Sequence, residues 1–140
     1  MDEQHAAADE AVAGALRLLV VDDNPDITES LSILLEILGH QVAVDNDAHA
    51  ALARLACESF DVCLLDIGMP IMDGLQLARR IRATLPAPQP VLIAITGFGE
   101  HSDRQAALDA GFDRFLVKPL RMESLIAMLG ELPPVLAPTC

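Results

Sequence analysis

The sequence predicts an α/β fold in which a parallel sheet carries helices on both faces. Three observations predict it. Short runs rich in Val, Ile and Leu alternate with stretches of helical periodicity. The runs are near-continuously apolar, as strands buried on both faces require. Cap and turn residues fall between the two kinds of segment. With 140 residues, 52% of them hydrophobic, the chain suits one domain whose core needs no disulfide or metal staple.

Each element is justified in turn. Leu18–Val21 reads as the first strand. Asn24 then Pro25 fits an N-cap with Pro at the first helical position, and Ile27, Leu31, Leu34, Leu35 and Leu38 repeat at three and four. Gly39 stands where a left-handed cap ends that helix. The second strand is Gln41–Val44, and the next helix follows Ala48, Ala51, Leu52 and Leu55. The third strand is Val62–Leu65, with a helix on Leu75, Ala78 and Ile81. Pro86–Pro90 cannot be helical and leads into the fourth strand, Val91–Ile95. Ser102 with Gln105 is spaced as a capping box, and Gly111 stands where the helix ends. Phe115–Val117 is the fifth strand, and Leu125, Met128 and Leu129 mark the last helix. The expected organisation is an Ala-rich acidic extension over 1–15, one domain over 16–131, and a Pro-rich tail over 132–140.

Charge narrows the function. Twenty-one acids against nine Lys and Arg give a formal charge of −12, poorly suited to a phosphate backbone or an anionic membrane surface. The absence of Trp and Tyr removes most of the means of stacking on bases. No apolar run reaches the ~18 residues of a membrane span, and the acidic start does not resemble a signal peptide. Cys57, Cys63 and Cys140 form no CxxC motif, and a cytoplasmic setting is expected. Cys63 is expected to be buried and inert. His5, His40, His49 and His101 show no metal-binding spacing.

Ligands of such sheets bind beyond the carboxyl ends of the strands. There the chain places Asp22 and Asp23 after the first strand, Asp66 after the third, Thr96-Gly97 after the fourth and Lys118-Pro119 after the fifth. Any one of these is also a turn former, a cap or a surface residue. Together they describe one rim. Carboxylates brought close repel, so either one is protonated or a cation sits among them. Mg²⁺, or Mn²⁺, suits such oxygen ligands. Lys118 and Thr96 would add a positive charge and a hydroxyl donor, which makes a pocket for a phosphoryl group with Asp66 as nucleophile.

The motifs LLVVDDNP at 18–25, LLDIGMPIMDG at 64–74, AITG at 94–97 and FLVKP at 115–119 are similar to those of receiver domains of two-component response regulators, in order and spacing. The resemblance, over Leu18–Leu129, implies the flavodoxin-like receiver fold: a doubly wound five-stranded sheet, order 2-1-3-4-5, with five helices. It implies Asp66 as phosphoacceptor. Asp22, Asp23, Asp66 and the backbone carbonyl of Gly68 become the metal ligands. Thr96 and Lys118 become the groups that meet the phosphoryl oxygens. It implies a cis Lys118-Pro119 bond, a switch through Thr96 and Phe115, and output through the surface of the fourth helix, fifth strand and fifth helix. Ala106, Ala107 and Ala110 there suit either a partner helix or the sheet. Gly68 and Phe98 offer no polar group to hold an attacking water, so slow self-hydrolysis is expected.

The implied partner is a histidine kinase or histidine phosphotransfer protein, with Ile27, Ser30, Leu31 and Leu120 as candidate contacts. The output target is another protein, and the chain is a monomer or a phosphorylation-dependent dimer. No DNA-binding output domain is expected in this chain, and no enzyme beyond its part in its own phosphorylation and dephosphorylation. A phosphorelay shuttle or phosphate sink is one alternative, and the receiver of a hybrid histidine kinase, which the stretch from Ala94 to Pro119 resembles, is another. A Mg²⁺-dependent phosphatase with an aspartyl nucleophile is more remote, because the position two after Asp66, where such enzymes need an acid, is Gly68.

Overall fold

The computed structural model describes residues 15–69, 71–97 and 101–132, without the side chains of residues 101–103. Residues 1–14 of the expected extension, residues 133–140 of the expected tail, and with them His5, Phe98 and Cys140, lie outside the described residues. So do the side chains of His101 and of Ser102, half of the expected capping box.

The chain alternates strand and helix throughout: β1 (Arg17–Val21), α1 (Pro25–Ile37), β2 (Gln41–Asp45), α2 (Ala48–Cys57), β3 (Val62–Asp66), α3 (Gly74–Thr84), β4 (Val91–Thr96), α4 (His101–Ala110), β5 (Arg114–Val117) and α5 (Met122–Glu131). The strands form one parallel sheet in the order β2-β1-β3-β4-β5. This is the predicted doubly wound fold.

Strand side chains alternate between two cores. Leu19, Val21, Cys63, Leu65, Leu92 and Ala94 face α2, α3 and α4. Leu18, Val20, Val62, Leu64, Ile93 and Ile95 face α1 and α5. Burial on both faces holds for β1, β3 and β4. It does not hold for β2 and β5, where Gln41, Arg114 and Val117 are exposed, because the edges of the sheet are only partly covered.

The local signals act as read. The Asn24 side chain accepts from the Asp26 amide with Pro25 at the start of α1. Gly39 and Gly111 sit at φ 102° and 110°, in the left-handed region. Both Ala87-Pro88 and Lys118-Pro119 are cis. The α1 helix forms as its repeat predicts, but Leu31, a candidate donor contact, belongs to the core. Only Thr28, Leu31 and Leu35 of that helix are buried, and Ile27, Leu34 and Leu38 are exposed. Ala107 and Ala110 are buried against the sheet, which takes them out of reach of a partner helix. A capping box the sequence reading passed over closes the start of α3: Asp73 Oδ1 accepts from the Gln76 amide at 2.9 Å and the Gln76 side chain accepts from the Asp73 amide at 3.1 Å.

Candidate functional site

Register carries the polar residues to one rim. Val21 is level with Leu65, so Asp22 and Asp66 leave their strands side by side. Asp66 is level with Ile95, and Thr96 follows one residue on. Thr96 is level with Val117, and Lys118 follows in turn. The Lys118 amide donates to the Thr96 carbonyl at 2.8 Å, which holds these two strand ends together past the ladder.

The rim is strongly acidic at its centre. One carboxylate oxygen from each of Asp22, Asp23 and Asp66 lies within 4.8 Å of the others. Asp22 and Asp66 are buried, whereas Asp23 is exposed. Lys118 Nζ stands 3.1 Å from Asp66 Oδ1, the cation nearest to hand. The Gly68 amide donates to the same Oδ1 at 3.1 Å. Asp66 Oδ2 has no hydrogen-bond partner among the described residues.

Asp22 is held from three directions. Its amide donates to the Asp45 carbonyl at 3.2 Å, its carbonyl accepts from Asn46 Nδ2 at 2.9 Å, and its carboxylate accepts from the Asn24 amide at 2.9 Å. The Asn46 amide also donates to Thr28 Oγ1 at 3.0 Å, which ties the end of β2 to α1 beneath the acids. Burial pushes the Asp22 carboxyl above its usual value. The charge on Asp66 and a hydrogen bond with Asp23 add to the rise, while the Asn24 amide and Lys118 oppose it. The donor set is all oxygen, charged and crowded, and it fits a small hard divalent cation.

Thr96 is buried at the rim, and its hydroxyl donates to the Leu116 carbonyl at only 3.5 Å, at the outer limit of a hydrogen bond. Phe115 is half-buried, and the guanidinium of Arg104 lies 5.4 Å from its ring centroid, within cation–π range. A Cβ added at Gly68 would meet nothing closer than Asp66 Oδ1 at 3.8 Å, so the space above the carboxylate is open there.

Asp22, Asp23, Asp66 and Lys118 are thus brought together, with Thr96 on the same rim. Four contributors escaped sequence reading: Asn46, the Asn24 amide, Arg104 and Gly74. At Gly74 a Cβ would lie 2.5 Å from the Asp66 carbonyl oxygen and 2.9 Å from Ile67 Cα. Asp73 to Gln76 carried a readable capping-box spacing, and with it the helix start that sets Gly74 against Asp66. Asn46 and Arg104 act through contacts distant in sequence, for which no local signal exists. Cys63 behaves as expected: it is fully buried, and burial pushes its thiol up to about 12.

Residues 18–130 match the family model of the response regulator receiver domain.

The chain belongs to the response regulator receiver family.

Response regulator MprA of Mycobacterium avium (strain 104) is 38% identical over 117 residues, spanning 84% of this chain and 50% of the relative. The chain therefore spans about half the length of the curated relatives it matches. Chemotaxis protein CheY4 of Vibrio cholerae aligns with a TM-score of 0.77 at 28% identity, over 83% of this chain and 97% of the other. The receiver domain of sensor histidine kinase PA1611 from Pseudomonas aeruginosa PAO1 aligns with a TM-score of 0.75 at 29% identity, over 84% and 97%. That structure is described with a magnesium ion coordinated in its active-site cleft. The chain is a signalling domain of two-component systems, in which receivers act with histidine kinases. No helix among the described residues is long and apolar enough to cross a membrane.

Proposed function

We propose that this receiver accepts a phosphoryl group on Asp66 from a phosphohistidine of a histidine kinase or histidine phosphotransfer protein, in a Mg²⁺-dependent reaction in the cytoplasm. The observation that carries the reading is the site itself: Lys118 Nζ 3.1 Å from Asp66 Oδ1, beside three carboxylates within 4.8 Å of one another. Asp22, Asp23, Asp66 and the Gly68 carbonyl would hold Mg²⁺ (or Mn²⁺), which when bound supplies neutralising charge for the phosphoryl oxygens.

The chain's own residues do the rest. Lys118 and the Gly68 amide hold Oδ1, and this orients the carboxylate so that Oδ2 faces the donor. An Asp66 oxygen bonds to phosphorus as the histidine N–P bond breaks, and the electron pair returns to the imidazole. The transferred group carries charged oxygens into the rim. Lys118 pairs with one, and the Thr96 hydroxyl turns from its long contact with Leu116 toward another. Phe115 follows Thr96, and the surface of α4, β5 and α5 changes for an output protein.

Domain limits of 16–131 accord with this reading, since Leu16 is buried in the core and α5 ends at Glu131. The reading extends to lifetime. Gly68 offers no side chain to position water, so the phosphoaspartate is expected to hydrolyse slowly, and a half-life of seconds in the purified protein would contradict this. The deciding experiment is intact mass after incubation with Mg²⁺ and acetyl phosphate, beside Asp66→Ala. One phosphoryl group gained by the wild type alone supports the assignment. No gain from acetyl phosphate or from a phosphorylated histidine phosphotransfer protein overturns it.

A further inference from the structure

Two adjoining grooves run along the face formed by α2 and α3, the first near the amino ends of the strands and the second toward their carboxyl ends. The first, about 530 Å³, is walled by Leu52, Leu55, Phe60, Leu85 and Pro88 and reaches Arg80. The second, about 460 Å³, shares Arg80 and adds His49, Met72 and Arg79. Ile71, at its mouth, is 94% exposed and sits at φ 69°, a conformation a β-branched residue adopts only under strain.

This face carries two adjacent cations on an acidic molecule. Among the described residues Arg17, Arg54, Arg82 and Lys118 are in ion pairs, whereas Arg79 and Arg80 have no ion-pair or hydrogen-bond partner through their side chains. Glu58, the acid in the first groove, is already paired with Arg17 and Arg54. In a chain of net charge −12, these two unpaired guanidinium groups stand side by side along one apolar trough.

We propose that this trough docks the protein's own acidic N-terminal segment, residues 1–14. That segment carries Asp2, Glu3, Asp9 and Glu10 and no Lys or Arg. Residues 133–140, by contrast, hold no acidic side chain. The point of departure is favourable. The Arg17 guanidinium lies 5.1 Å from the centroid of Phe60, and Phe60 lines the first groove. The order of residues also matches. Leaving the fold, the segment offers Ala13, Val12 and Ala11 to the apolar groove first, then Glu10 and Asp9 to Arg80 and beyond it Arg79. Fourteen residues span up to ~46 Å. A domain of this size has a radius of gyration of only about 13 Å, so the trough is within reach. The docking needs no phosphoryl chemistry and stands apart from it.

The test is NMR of the full chain in two variants that approach the contact from opposite sides. One neutralises the segment (Asp2→Asn, Glu3→Gln, Asp9→Asn, Glu10→Gln), and the other reverses the trough (Arg79→Glu, Arg80→Glu). The first is expected to shift the Arg79 and Arg80 side-chain N–H signals and the methyls of Leu52 and Leu85. The second is expected to shift the amides of residues 9–12 and to reduce their heteronuclear NOE. Val20 methyls, in the opposite core, report an intact fold in both. Unchanged signals in both variants overturn the proposal. So do shifts that grow with protein concentration, which would assign the trough to a second copy.

Discussion

At the scale of single residues the site is a balance of close approaches. Gly74 is the sharpest case, because its missing side chain lets the start of α3 lie against the backbone of Asp66. Gly74→Ala must displace Asp66 or the helix. A loss of about 1–3 kcal/mol in urea unfolding is expected, and phosphorylation from acetyl phosphate should slow as well, since the displaced backbone carries the nucleophile. Asp22 is balanced differently. Its folded pKa is raised, so the folded state holds the proton more tightly than the unfolded chain does. The stability this gives is present at acid pH and is lost as pH rises through the raised folded value. In chelator at neutral pH, Asp22→Asn should therefore melt higher than wild type by differential scanning calorimetry. A lower Tm would mean that the charge-assisted hydrogen bond from the Asn24 amide outweighs the cost of burying the Asp22 charge.

At the scale of elements, side chains that bridge strands and helices fix the frame. Arg82 on α3 donates to the Gly111 carbonyl at 3.0 Å, to Gln89 and the Pro90 carbonyl at 3.0 Å, and to Asp113 at 2.7 Å. It joins α3 to the entries of β4 and β5. Arg82→Ala should cost about 1.5–3 kcal/mol in denaturant unfolding, as loss of hydrogen bonds to a charged group does. At the opposite edge the Leu16 amide donates to His40 Nδ1 at 3.0 Å, which requires a neutral imidazole. Burial lowers the His40 pKa from its ordinary 6.5. The unfolded chain then takes up the proton first as pH falls, so stability drops below about pH 6.5 toward the lowered folded value. His40→Ala should flatten that part of the stability–pH profile. The strand ends were readable in the sequence for a simple reason: a parallel sheet exposes its carboxyl ends on one side, whatever the packing around it. The faces of α1 were not. Ile27, Ile33, Leu34, Ile37 and Leu38 surround Leu31 and Leu35 with equally apolar neighbours, and only docking on β1 and β2 selects two of the seven for the core. Asn46 and Arg104 were invisible for a related reason, since their partners lie 24 and 11 positions away along the chain.

For the whole molecule, the acidic rim and the net charge of −12 act in the same direction, and they can be told apart. Any salt screens the overall self-repulsion and raises stability without regard to valence. A cation held by Asp22, Asp23 and Asp66 stabilises the folded state by mass action instead, by about 2.7 kcal/mol at a hundred times its Kd. For a domain of this size that is a Tm rise of roughly 9–11 °C. Thermal melts in MgCl₂ and in NaCl of equal ionic strength should therefore diverge for the wild type, with Mg²⁺ the higher. They should converge for Asp22→Asn, and in Asp23→Asn the divergence should shrink. Lys118→Ala should widen the gap, because Lys118 competes for Asp66 Oδ1. Equal melts in the two salts for the wild type would leave the crowded carboxylates to be relieved by protonation, consistent with the raised pKa of Asp22, and would remove the metal from the proposed reaction.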